Sequence, residues 1–234
     1  MIFKENGIFD ADTWFQIAPP MGGAKHWKDG RSAKELARYM TSEYPLIPKE
    51  IEKTLRRFTD ESAEFDWTAE YVTDFQSLGL GKGEGRNHDA FLFNCDVVVG
   101  IEGKSDEPFG SQMIGEALAS ASENKRQRIS KMIQMLLGDV PENHPNIRYQ
   151  LVTAAVATLL EAFSKNVNQA VLMVIVFKKK GCFSEKKMQM NIADLQRFLE
   201  ELSARKMGDF YFVPTTYGRE KNIELYFKCL EIDL

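Results

Sequence analysis

The run at 88–104, HDAFLFNCDVVVGIEGK, decides the fold. It reads as two short strands joined by a tight turn. Asp89 opens the first strand, which continues over 90–93. Val97, Val98, Val99 and Ile101 carry the second, which ends on Glu102, Gly103 and Lys104. β-Branched and aromatic residues bounded by turn formers are the strand signal. Side chains alternate faces along a strand. Val97, Val99 and Ile101 therefore share one face, and Val98, Gly100, Glu102 and Lys104 share the other. An apolar face is thereby separated from a face that carries chemistry.

The turn sets the register. With Cys95 and Asp96 as a two-residue loop, Asp89 lies opposite Glu102. With Asn94 and Cys95 as the loop, Asp89 lies opposite Gly100, and Glu102 is its diagonal neighbour. Opposed Cβ atoms sit ~5 Å apart, and like charges so placed are destabilising. A hard divalent cation compensates two such carboxylates, because Mg²⁺ takes carboxylate oxygens and keeps several waters. Lys104 shares that face, placed to stabilise or deprotonate a metal-bound water.

An Asp followed by Glu-x-Lys on the next strand resembles the PD-(D/E)XK nuclease superfamily, with its restriction-endonuclease-like fold. The resemblance implies that Asp89 and Glu102 bind Mg²⁺ or Mn²⁺ with help from the main-chain carbonyl of Gly103, and that Lys104 assists the attacking water. His88 stands where the name-giving motif has Pro. The resemblance covers roughly residues 46–178. In RecB-type relatives a Gln on the helix after the Glu-x-Lys strand reaches the site, and Gln150 has that placement. The Tyr of that pattern, four residues on, is Ala154 here. Members often add an acid from the first helix or strand; Glu61, Glu64 and Glu70 compete, and Glu70 is favoured. A second Glu-x-Lys, Glu185 to Lys187, lies in a charged, non-strand run.

At 234 residues, with 44% hydrophobic and 27% charged residues, the chain suits a globular protein. One domain is expected: an N-terminal extension over 1–45, a nuclease-like core over 46–178, and a C-terminal helix and strands over 179–234. The expected fold is α/β, a mixed sheet flanked by helices. The net charge of −4 is no basic footprint for nucleic acid, although a local groove matters more than the sum. Cys95, Cys182 and Cys229 are widely spaced and odd in number. They suit reduced thiols in a cytoplasmic protein rather than a disulfide framework. No signal peptide is read at the N-terminus. The apolar runs at 151–160 and 170–177 are too short to span a bilayer, so no membrane partner is expected.

The rest of the chain supplies a frame. Residues 1–30 read as a lead-in and loop, with Trp14 and Trp27 as packing anchors and His26 at the surface. Ser32 and Glu35 form a capping box that starts a helix to about Thr41. A second helix covers 49–59, with Lys49, Lys53, Arg56 and Arg57 on a face read as solvated or as a contact to phosphates. Residues 65–75 read as a strand, which would bring Glu70 towards the site if paired with the Asp89 strand. The glycines from Gly79 to Gly85 read as a loop rather than a phosphate cradle, since a strand and not a helix follows; Lys82 and Arg86 are its candidate backbone contacts. His88 is read as a neighbour of the site or a surface residue, not as a ligand. Residues 111–137 are helical with a break near 120–124, and Lys125, Arg126, Arg128 and Lys131 form its densest basic cluster, read as a solvated surface or, if DNA binds, as contacts to the nucleic-acid backbone. A buried helix at 146–165 leads to the apolar strand at 170–178, which suits the centre of a sheet. A helix over 190–204 and strands over 209–213 and 224–229 complete the chain.

Two functions follow as expectations. One is a metal-dependent nuclease hydrolysing phosphodiester bonds, with DNA as partner and a homodimer as the assembly to consider. The other is a catalytically inactive nuclease-like fold that serves as a binding or assembly module. Hydrolysis of another phosphoester is a weaker third.

Overall fold

A computed structural model describes residues 7–77, 79–81, 85–178 and 184–234, with the side chain of Glu185 outside the description. Lys82 and Cys182 lie outside the described residues. Seven strands form one mixed sheet: β1 (Asp66–Thr73), β2 (Arg86–Phe93), β3 (Val97–Lys104), β4 (Gln169–Lys178), β5 (Arg205–Met207), β6 (Phe210–Val213) and β7 (Glu224–Asp233). Their order across the sheet is β1-β2-β3-β4-β7-β6-β5. β3, β4 and β7 are parallel, and an antiparallel pair adjoins each side of this centre.

Eight α-helices flank it among the described residues: α1 (Ala11–Ile17), α2 (Ser32–Met40), α3 (Lys49–Leu55), α4 (Ile114–Ala119), α5 (Glu123–Leu137), α6 (Tyr149–Ser164), α7 (Glu185–Glu201) and α8 (Thr216–Lys221). The expected mixed α/β class is what the chain adopts. The apolar run of β4 is buried because it lies between β3 and β7 and is covered on both faces. On one face Val171, Met173 and Ile175 meet Leu36, Met40, Ile51 and Leu55 of α2 and α3. On the other, Leu172 and Val174 meet the apolar positions of α5 and α6.

Several local expectations are corrected. The lead-in holds α1, started by Asp10, whose carboxylate accepts from the Thr13 amide at 2.8 Å while the Thr13 hydroxyl takes the Asp10 amide at 3.0 Å. The Ser32/Glu35 capping box does not form. Arg31 is the N-cap, and Glu35 accepts instead from the Gly30 amide at 2.6 Å, which the left-handed turn at Gly30 presents to it. α3 stops at Leu55 rather than continuing to 59. The run from Glu185 begins α7 five residues earlier than the apolar pattern shows. β5 and α8 were not read from sequence. The break between α4 and α5 falls at 120–122, inside the expected window.

Candidate functional site

The hairpin closes as the Cys95–Asp96 loop, with the Asn94 amide donating to the Val97 carbonyl at 3.1 Å and Ala90 facing Ile101. β3 is buried along its whole length. It is an interior strand rather than an edge, so Glu102 and Lys104 are charges carried into the protein. Val97, Val99 and Ile101 face α2, and Val98 faces α6, as the alternation predicts.

Alternation fails on the two neighbouring strands. Glu70 has φ +47°, and paired residues flank it at Ala69↔Ala90 and Tyr71↔His88. Ala69 and Ala90 join the core on the α2 side, whereas Tyr71 stacks on Phe91 in the α6-side core and donates its hydroxyl to Glu161 of α6 at 2.9 Å. His88 likewise lies beside Gly100 and Thr158, towards α6. The chain thus changes phase at Glu70 and at Asp89, the local kink by which an irregular strand re-aims a side chain. The Asp89 carboxylate leaves the ladder and accepts from the Gly103 amide at 2.8 Å.

Glu102 is held from three sides. His88 Nδ1 lies 3.2 Å from Oε1, Gln150 Nε2 donates to Oε2 at 3.1 Å, and the Arg86 guanidinium forms an ion pair with Oε2. Burial alone would raise this acid. Arg86, His88 and Lys104 outweigh it and hold its pKa at about 2. Asp89 goes the other way, to about 6: burial and the adjacent Glu102 charge raise it, against Lys104, Arg86 and the Gly103 amide. Glu70 rises to about 8, through burial and the Asp89 charge, against a hydrogen bond from Asn87 Nδ2. Burial lowers His88, which favours the neutral ring. The Lys104 ammonium is buried and sits 5.4 Å over the Phe109 ring.

The structure therefore brings together Glu70, Asp89, Glu102, Lys104, His88 and Gln150. Glu61 and Glu64 lie elsewhere, against Pro45 and Leu46. Arg86, expected as a contact to a nucleic-acid backbone, is instead the ion-pair partner of Glu102. Of the basic cluster, Arg126 is bonded to the Leu118 carbonyl and Lys131 to the Gly79 carbonyl. Lys125 lies over the Tyr149 ring at 5.3 Å, and Arg128 lines a cavity beside Glu70 and Arg86. Sequence reasoning missed Asn87 and the Arg86 ion pair. The signal for Arg86 was its period-2 spacing from His88, which places both near β3.

Among the described residues no three His, Cys, Asp or Glu side chains form a ready cation cage. Mg²⁺ commonly takes only one or two protein carboxylates and fills its octahedron with water. Asp89 and Glu102 are hard oxygen donors, the first bonded to the amide of the residue after the second, and that donor set fits such an ion. Gly103 here offers its amide to Asp89; the expected metal contact through its carbonyl would be a separate interaction. Arg86 now supplies the positive charge that a cation would bring.

Fold and site define a mixed α/β protein with a carboxylate–lysine cluster at the end of a buried hairpin. The chain belongs to the family described as a domain of unknown function, DUF6946, which it matches over residues 8–233. No curated protein and no solved structure matches it. No helix among the described residues is long and apolar enough to cross a membrane.

Proposed function

We propose that the chain is a metal-dependent nuclease of the PD-(D/E)XK type, acting on phosphodiester bonds, with DNA the expected substrate. The observation that carries this is the Asp89 carboxylate, at the irregular point of β2, bonded to the Gly103 amide between Glu102 and Lys104, with Glu70 joined to β2 through Asn87. The element order from β1 through β4 supports it, since α4, α5 and α6 join the second strand of the hairpin to the parallel strand β4.

Asp89 and Glu102 would hold Mg²⁺ or Mn²⁺. When bound, such an ion neutralises phosphate charge and lowers the pKa of a coordinated water. Lys104, whose ammonium lies on the same face, would orient the attacking water and stabilise the negative charge that develops on it. Gln150 and His88 fix the plane of the Glu102 carboxylate, which sets where its oxygens point. With a cation held there, Arg86 would share Glu102 with it, and its guanidinium would be available to a phosphate.

A second reading, an inactive fold that serves as a binding or assembly module, is favoured by one observation. Glu102 is already fully satisfied by Arg86, His88 and Gln150. Cleavage of single-stranded and duplex DNA in Mg²⁺ or Mn²⁺ separates the two. The nuclease reading predicts activity abolished by EDTA and reduced at least a thousandfold in Asp89→Ala, Glu102→Ala and Lys104→Ala, each still folded. Persistent cleavage in EDTA, or in all three variants, contradicts it.

A further inference from the structure

A cavity of about 650 Å³ opens beside the cluster. Glu70, Arg86 and Asn87 line it, which sets it against the acids, and Val72, Phe75, Tyr149 and Arg128 are among its other lining residues. Met21 and Val72 stand 89% and 59% exposed at the mouth. The apolar members Met21, Val72, Phe75 and Tyr149 suit a flat, uncharged ring, while the two arginines, Arg86 and Arg128, suit the phosphates on either side of it. The volume lies in the range of small-ligand sites, which combine apolar walls with a few placed polar groups. Among its polar groups is Asn87, whose Oδ1 is buried without a hydrogen-bond partner while its Nδ2 donates to Glu70.

We propose that this cavity holds one unpaired nucleobase of the substrate, next to the phosphate at the acid cluster, and that the enzyme therefore acts on single strands or splayed ends. This rests on the nuclease reading of the adjoining site. A base inside a stacked duplex cannot enter such a pocket without leaving its pair, and an already unpaired base gives up least on entry. Apolar and aromatic walls accept any base by its face, and the Asn87 carbonyl meets an edge amine. Arg128 on the same wall brings positive charge for the adjoining backbone. Two α5 cations that would widen a duplex grip, Arg126 and Lys131, are bonded to carbonyls of the protein itself.

The test uses the full chain with Ca²⁺, and an oligothymidylate carrying one 2-aminopurine, free or annealed as a blunt duplex. The single strand should bind at least tenfold tighter than the duplex and show quenched fluorescence as the base packs. Tyr149→Ala should weaken single-strand binding about tenfold and relieve the quenching. Val72→Glu, at an exposed position, should do the same and keeps the test open should Tyr149→Ala fail to fold. Equal or tighter binding of the duplex, or binding and quenching unchanged in the folded variants, overturns the pocket assignment. Binding and quenching without cleavage in Mg²⁺ or Mn²⁺ supports the pocket while removing the nuclease reading.

Discussion

Glu102 and Asp89 are neighbours with opposite electrostatic fates. Glu102 has Arg86 and stays ionised; Asp89 faces Glu102 from a protein-lined position and is pushed to about 6, with Glu70 behind it at about 8. A carboxyl whose folded pKa is raised stabilises the fold fully below its ordinary value, and that contribution is lost as pH rises through the folded value. The metal-free protein should therefore lose thermal stability between about pH 4 and pH 8, and Asp89→Asn or Glu70→Gln should flatten that slope by a few degrees in melting temperature. Calorimetry across that range checks this; a slope unchanged in both variants contradicts the charge crowding. The residue types of the cluster were legible in the sequence, because an Asp and a Glu-x-Lys on adjoining strands have few structural uses inside a sheet. Arg86 was misread because its partner lies one strand away, where register and not local pattern decides contact.

At the scale of elements, α6 is docked on β3 through a missing side chain. A Cβ on Gly100 would stand 2.5 Å from Thr158 Oγ1 and 2.7 Å from the His88 ring. The same close approach lets Gln150 reach Glu102 and Glu161 meet Tyr71. Gly100→Ala should therefore cost ~1–3 kcal/mol by overpacking. A chemical denaturation curve would show it, and an unperturbed midpoint would mean that α6 does not press on β3. Long periodic elements such as β3, β4 and α5 could be read in advance, since period and composition agree there. The phase change at Glu70 and Asp89 could not, because a strand reading assumes alternation and nothing local marks where it fails. The capping box at Ser32 misled for a related reason: Glu35 found a better donor in the Gly30 turn.

Across the whole molecule, the sheet divides two cores, and the site lies where β2 and β3 meet α6. The first 45 residues help to build the second core. Trp14, Leu36, Ala37 and Met40 are buried in it, and Leu36 packs behind Gly103, 3.3 Å from where a Cβ would be. Deleting residues 1–45 should expose the α2 side of β3 and β4 and abolish cooperative folding, seen as loss of a thermal transition by circular dichroism. A truncated chain that melts cooperatively near the full-length temperature would show that α1 and α2 are an accessory. The class of fold was legible from the order of strands and helices. The role of this segment was not, since its contacts are made with strands far along the chain.

Mn²⁺ binding followed by electron paramagnetic resonance tests the central claim most directly, because it requires neither a chosen substrate nor turnover. One ion per chain should bind to the wild-type protein, with binding lost in Glu102→Gln and weakened at least tenfold in Asp89→Asn. No binding to the folded wild-type chain, or equal binding to all three proteins, would contradict a metal site built from these acids.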